Sequence, residues 1–218
     1  MNSIQKRIIT SVIVLPFSFF FIFKGGDYIV SFLYAILILG NYELFSTFKK
    51  KITIIFLDSV LVIALLSALH LRNDTVSSYI LLIWIIILTI FSDIGGYVFG
   101  KTFKWKRITK ISPNKTLSGV IGSVIFSLST VLLLAIFVNI YGQVNIEILK
   151  QPKYYFLAII FSLIAQLGDL CVSYFKRLEK IKDTGKLLPG HGGIFDRIDS
   201  LMFVVIFAYI LYSLKIFP

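Results

Sequence analysis

VSSYILLIWIIILTIFSDIGGYVF, residues 76–99, decides the fold class. No charge stands between Val76 and Ser92, and the run is long enough to cross a hydrocarbon core, which takes roughly 20 apolar residues in a helix. It ends in an aspartate, Asp93, followed by Gly95 and Gly96. Working outward, six further runs of this kind occupy 8–24, 27–46, 53–71, 118–141, 154–175 and 199–217. The reading is an all-α polytopic membrane protein of about seven transmembrane helices. The first run lacks a small-residue cleavage site and is read as a retained helix. The third is the least regular, because Asp58 and two serines interrupt it. Residues 1–75 are taken as N-terminal transmembrane helices and 76–218 as the region carrying the chemistry, together one membrane unit.

Composition agrees. The chain has 218 residues, 57% hydrophobic and 15% charged, whereas a soluble domain is about a quarter charged. A formal charge of +11 suggests nucleic acid, yet the cations stand between runs of Ile, Leu and Phe and not on one solvated face, so no nucleic-acid partner is expected. A single cysteine, Cys171, excludes an internal disulfide. With the N-terminus inside, 17 of the 22 basic residues fall in inner segments (Lys6 and Arg7, 49–51, 101–115, 176–197) and 5 outside, so the N-terminus is expected in the cytoplasm.

Four of the 11 acids fall within these runs and not at their first residue: Glu43, Asp58, Asp93 and Asp169. A carboxylate at a helix centre costs about 2.5–3.5 kcal/mol, so such acids usually face a polar cavity. Asp58 is read as reaching interfacial water. Asp169 sits in a polar break, Gln166-Leu167-Gly168-Asp169. Asp196 and Asp199, three apart, share a helical face at the start of the last run. Capping explains one of them, not two acids aimed at the loop that Asp169 faces. A hard cation such as Mg²⁺ needs one or two carboxylates and keeps room for phosphate oxygens.

Between these acids lies the most polar segment of the chain, with Ser173, Lys176, Arg177, Lys182, Asp183 and then Pro189-Gly190-His191-Gly192-Gly193. The glycines allow a turn with amides open to phosphate, and His191 is placed to donate to a phosphate or shuttle a proton. Acids for a metal, an amide-rich turn and several cations together describe a nucleotide-phosphate site. A second loop repeats the theme with Asp93-Ile94-Gly95-Gly96-Tyr97 and Ser112-Pro113-Asn114-Lys115-Thr116. Its glycine spacing before Lys115 is not that of a Walker A loop.

The run from Ser173 to Asp199 resembles the signature of the phosphatidate cytidylyltransferases. Every specified position is met: Ser173, Lys176, Arg177, Lys182, Asp183, Gly185, Leu188, Pro189, His191, Gly192, Gly193, Asp196, Arg197 and Asp199. The segments at Asp93 and at Ser112 are similar to the family's upstream motifs, and the region from Arg7 to Pro16 with Glu43 more loosely. Two departures stand out. Val172 replaces a common acid, and the chain has fewer N-terminal spans than family members.

The resemblance implies CTP and phosphatidic acid as substrates, giving CDP-diacylglycerol and pyrophosphate in phospholipid synthesis. It implies Mg²⁺ on Asp169 and Asp196 with Asp199 as a further ligand, a second cation being left open. Lys176, Arg177, Lys182 and Arg197 are implied to hold phosphates, together with Ser173, Gly192 and Gly193. Lys115, Ser112 and Thr116 anchor a phosphate from the other loop, and Asp93 supports the metal or a lysine. The setting implied is a bacterial inner membrane with the site facing the cytoplasm; a homodimer is left open. A coupled transporter is disfavoured because the acids cluster at one face without repeated halves.

Overall fold

The computed structural model describes residues 3–109, 111–113, 115–140, 149–185, 187 and 192–216. These form seven helices: α1 (Ser3–Lys24), α2 (Gly26–Thr47), α3 (Lys51–Asn73), α4 (Val76–Phe103), α5 (Leu117–Ile140), α6 (Pro152–Leu178) and α7 (Phe195–Ser213). Among the described residues there is no β-strand, only an isolated antiparallel bridge between Arg107 and Thr116. Each helix covers one run anticipated from the sequence. Five of them, α2 to α6, are long and apolar enough to cross a membrane, which makes the architecture that of a polytopic integral membrane protein. In α1 the apolar part is the shorter stretch Val12–Lys24. The third run is not broken as its polar residues suggested: α3 is continuous, and Ser59 turns its hydroxyl back onto the Ile55 carbonyl at 2.7 Å.

Helix ends are settled by local chemistry. Thr75 and Ser78 form a reciprocal capping box at the start of α4. Pro152 begins α6, where a missing N–H costs nothing. Arg72, near the end of α3, donates to the terminal carbonyls of α1, Ile22 and Phe23, and lies 4.1 Å above the Tyr79 ring. It thereby satisfies acceptors that α1 cannot satisfy itself.

The core has two centres. Trp84, fully buried, donates its indole N–H to Thr130 at 3.0 Å and meets Phe161 edge-on at 5.7 Å, joining α4, α5 and α6. Nearer the motif loops, Leu44, Phe48, Leu57, Leu61, Val172, Phe195 and Met202 join α2, α3, α6 and α7. Val172, at the position where a carboxylate was anticipated from the resemblance, is fully buried in this apolar cluster.

Helices α4 and α5 approach backbone to backbone. A Cβ at Gly95 would meet the Gly122 carbonyl and Phe126, and one at Gly122 would meet Phe99 and the Gly95 carbonyl. The close approach lets Ser123 donate to the Ser92 carbonyl at 2.8 Å, and Ser92 pairs with Ser162 of α6 at 3.0 Å. This polar rung sits directly beneath Asp93 and ties α4, α5 and α6 together where the site begins.

Candidate active site

The loop between α4 and α5 is shaped by its own backbone. Lys115 N–H bonds to the Ser112 carbonyl, Ile108 N–H to that of Lys115, and Leu117 N–H to that of Lys106. Thr116 then caps α5, accepting the Gly119 N–H at 3.1 Å. Lys115 is thus thrown across to α6. Its ammonium pairs with Asp169 at 2.6 Å and donates to the Gln166 carbonyl at 3.0 Å. The break at Gln166 read from the sequence therefore faces the second loop. Ser112, Lys115, Thr116, Gly96, Gln166 and Asp169 line a polar cleft of about 240 Å³ that also reaches Asp93.

The loop between α6 and α7 closes on the one between α4 and α5. Arg177, at the end of α6, donates to Ile111 at 3.4 Å and to Ile181 at 2.7 Å. Lys176 is buried, with its ammonium 2.8 Å from Asp196 and 4.0 Å from Asp199. The spacing of three does turn both acids of α7 toward one partner. Asp196 is nonetheless fully engaged, because its other oxygen accepts the Thr184 N–H at 2.7 Å and the Gly193 N–H at 3.1 Å. The Gly193 amide, anticipated to face a phosphate, instead holds this acid. Gly192 has φ +88°, and a Cβ there would come within 2.9 Å of Asp196. Asp199 accepts the Ser200 N–H at 2.8 Å.

Three carboxylates feel one another through space: Asp93 of α4 is repelled by Asp169, and Asp199 by both. Lys115 and Arg197 offset Asp93, and Lys176 offsets Asp199. Ser173 donates to Asp169 at 3.4 Å. Lys182 and Asp183 are exposed. His191 lies outside the described residues. Among the described residues no three of His, Cys, Asp and Glu converge tightly enough to form a cation cage on their own.

Asp93 also opens onto a second cleft of about 470 Å³, between α1, α2, α4 and α7. Its walls are mostly apolar, with Leu15, Phe19, Ile22, Phe32, Ile86 and Leu201, and its lining also includes Arg197, Thr89 and Ser200. Two clefts of opposite character therefore meet at one carboxylate.

Sequence reasoning assigned no role to Glu43. The structure buries it to 1% exposure and sets its two oxygens 3.0 Å from the Ile194 and Phe195 N–H groups at the head of α7. The available signal was an acid inside an apolar run, without any indication of its partner.

The curated phosphatidate cytidylyltransferase of Staphylococcus epidermidis is 42% identical over 126 residues, covering 57% of this chain and 44% of that one. The protein of the same name from Staphylococcus aureus is 45% identical over 126 residues, with the same shares. That from Staphylococcus haemolyticus is 46% identical over 115 residues, 52% of this chain and 42% of that one. The match thus spans less than half the length of these relatives. A family model described as the cytidylyltransferase family matches residues 46–215, which include both loops and all three interacting aspartates, and the chain belongs to that family.

Proposed function

We propose that the protein transfers CMP from CTP to phosphatidic acid, giving CDP-diacylglycerol and pyrophosphate. The observation that carries this reading is the meeting of a polar and an apolar cleft at Asp93. A water-soluble triphosphate suits the first and an acyl chain the second, so the two substrates reach one carboxylate, Asp93, from different clefts. The relatives' printed name supports the same reaction.

In the chemistry, a phosphate oxygen of the lipid attacks the α-phosphorus of CTP, and the bond to the pyrophosphate oxygen breaks. The attacking group is already anionic, so no enzyme nucleophile is needed. Both reactants are negative, and the protein's task is to hold them in line and neutralise charge. Lys115 and Ser112 hold the triphosphate in the polar cleft. Arg197, in the lining of the apolar cleft, holds the lipid phosphate with its planar fork of donors. Lys176, Arg177 and Lys182 supply positive potential around the leaving pyrophosphate.

Mg²⁺ fits the donor set, since the acids present only hard oxygen ligands and the ion requires one or two carboxylates plus phosphates. Asp169, 35% exposed at the mouth of the polar cleft, and Asp199 are the acids that would hold it, with Asp93 beside them. Asp196, spent on Lys176 and two amides, shapes the loop. When bound, the ion screens phosphate repulsion and stabilises the leaving group. The loops face the cytoplasm, where CTP is, and the membrane is the bacterial inner membrane. The charge distribution supports this orientation.

The test uses purified protein in detergent with phosphatidic acid, labelled CTP and Mg²⁺. Lipid-soluble label is expected, abolished by EDTA and reduced about 10²-fold or more by Asp169→Asn. Absence of label from folded wild-type protein with every acidic phospholipid offered would overturn the reading.

A further inference from the structure

Glu43 lines neither cleft, yet both of its carboxylate oxygens are engaged. Its Oε1 accepts the Ile194 N–H and its Oε2 the Phe195 N–H, each at 3.0 Å. Ile194, the residue that precedes α7, has no cap from its own side chain. The orphan donors at the head of α7 are therefore taken up by a carboxylate from α2, 151 residues earlier in the chain. A negative charge at that end also opposes the positive pole of the helix.

The neighbours are built around this carboxylate. A Cβ at Gly185 would lie 2.5 Å from Glu43 Oε1, and one at Gly193 would run into the same carboxylate and into Thr184. One turn further along α2, Thr47 donates to the Thr184 carbonyl at 2.7 Å. Glu43 and Asp196 divide the loop's amides between them, Asp196 taking Thr184 and Gly193, and Glu43 taking Ile194 and Phe195. The turn so held carries Asp196 and Arg197, with Asp199 next on the same helix. Glu43 stands before residue 46, where the family match begins.

We propose that Glu43 is a positioning residue: it caps α7 from a different helix and thereby sets Arg197, which lines the apolar cleft, and Asp199, which faces Lys176. The kinetic arm of this inference rests on the cytidylyltransferase reading above; the structural arm does not. Glutamine keeps the size of the side chain but has one acceptor where two are needed, and turns an NH₂ against the second N–H.

The experiment compares the full chain in detergent with Glu43→Gln, Glu43→Asp and Thr47→Val. Hydrogen exchange over residues 193–196 is read without substrate, and kcat and KM with CTP and phosphatidic acid. Glu43→Gln is expected to speed exchange there and lower kcat, each about ten-fold or more, with KM for CTP within about three-fold. Glu43→Asp, which keeps the charge on a shorter arm, serves where the glutamine variant does not fold and is expected to shift both readouts in the same direction. Thr47→Val loosens the same loop but leaves the cap, and is expected to keep kcat within about three-fold of the wild type.

Unchanged kcat beside faster exchange would make Glu43 a stabilising residue only and overturn the proposal. An equal loss of kcat in Glu43→Gln and Thr47→Val would overturn it too, since any loosening of the loop would then suffice. If the wild type forms no product, the substrate reading fails, and unchanged exchange in Glu43→Gln would still overturn the cap.

Discussion

Lys176 shows how much a single buried charge carries. Its side chain is 9% exposed, and its ammonium stands between Asp196 and Asp199. Replacing it with methionine would leave two acids without their cation, and removing one partner of a buried pair costs about 3–5 kcal/mol. Lys176→Met is expected to lower the thermal midpoint in detergent steeply, whereas Lys182→Ala, at an exposed site, is expected to stay within about 0.5 kcal/mol of the wild type. Differential scanning fluorimetry of the two variants checks the contrast. The acids and cations themselves were legible in the sequence, because charge among apolar runs is conspicuous. Their pairing was not. Asp196 was read as a metal ligand without its neighbours, and the amides of Thr184 and Gly193 meet its second oxygen only once the loop is folded.

The helices carry a second kind of information. Thr116 caps α5 and also lines the polar cleft. Thr116→Val removes the cap and is expected to cost about 1 kcal/mol of stability, while Thr116→Ser keeps it; chemical denaturation in mixed micelles measures the difference. The pairing of α4 with α5 is less forgiving. A Cβ at Gly95 would lie 2.7 Å from the Phe126 Cβ, besides meeting the Gly122 carbonyl. Because the obstacle includes backbone, Gly95→Ala is expected to cost about 1–3 kcal/mol or more, and to weaken the serine rung beneath Asp93, read as a lowered midpoint and reduced CTP use. Helix existence followed from apolar run length, and the seven runs matched seven helices closely. What the runs did not reveal was which helices touch. Apolar faces in a bilayer look alike, and of the glycines that permit close contact Gly95 was read only as part of a loop motif and Gly122 was given no role.

At the scale of the whole molecule, the basic segments at 49–51, 101–115 and 176–197 gather around the motif loops. Lys50 donates to Leu178, Arg177 to Ile111, and Lys115 pairs with Asp169. This end of the bundle is the cytoplasmic one in the proposed orientation. With Cys171 replaced by serine, a membrane-impermeant thiol reagent is expected to label Asn73→Cys in intact cells, and Lys104→Cys only after permeabilisation. The reverse pattern would invert the topology and take the site away from cytosolic CTP.

The sequence alone determined that this is a helical membrane protein and that its candidate site acids and cations lie in two loops or in the helix ends beside them. Those features depend on run length, charge and motif spacing, all local along the chain. Only the tertiary structure decided that Lys115 reaches Asp169, that Asp93 stands between a polar and an apolar cleft, and that Glu43 holds the head of α7. Each of these depends on the distance between groups that are far apart in the chain, and that distance is set by helix packing.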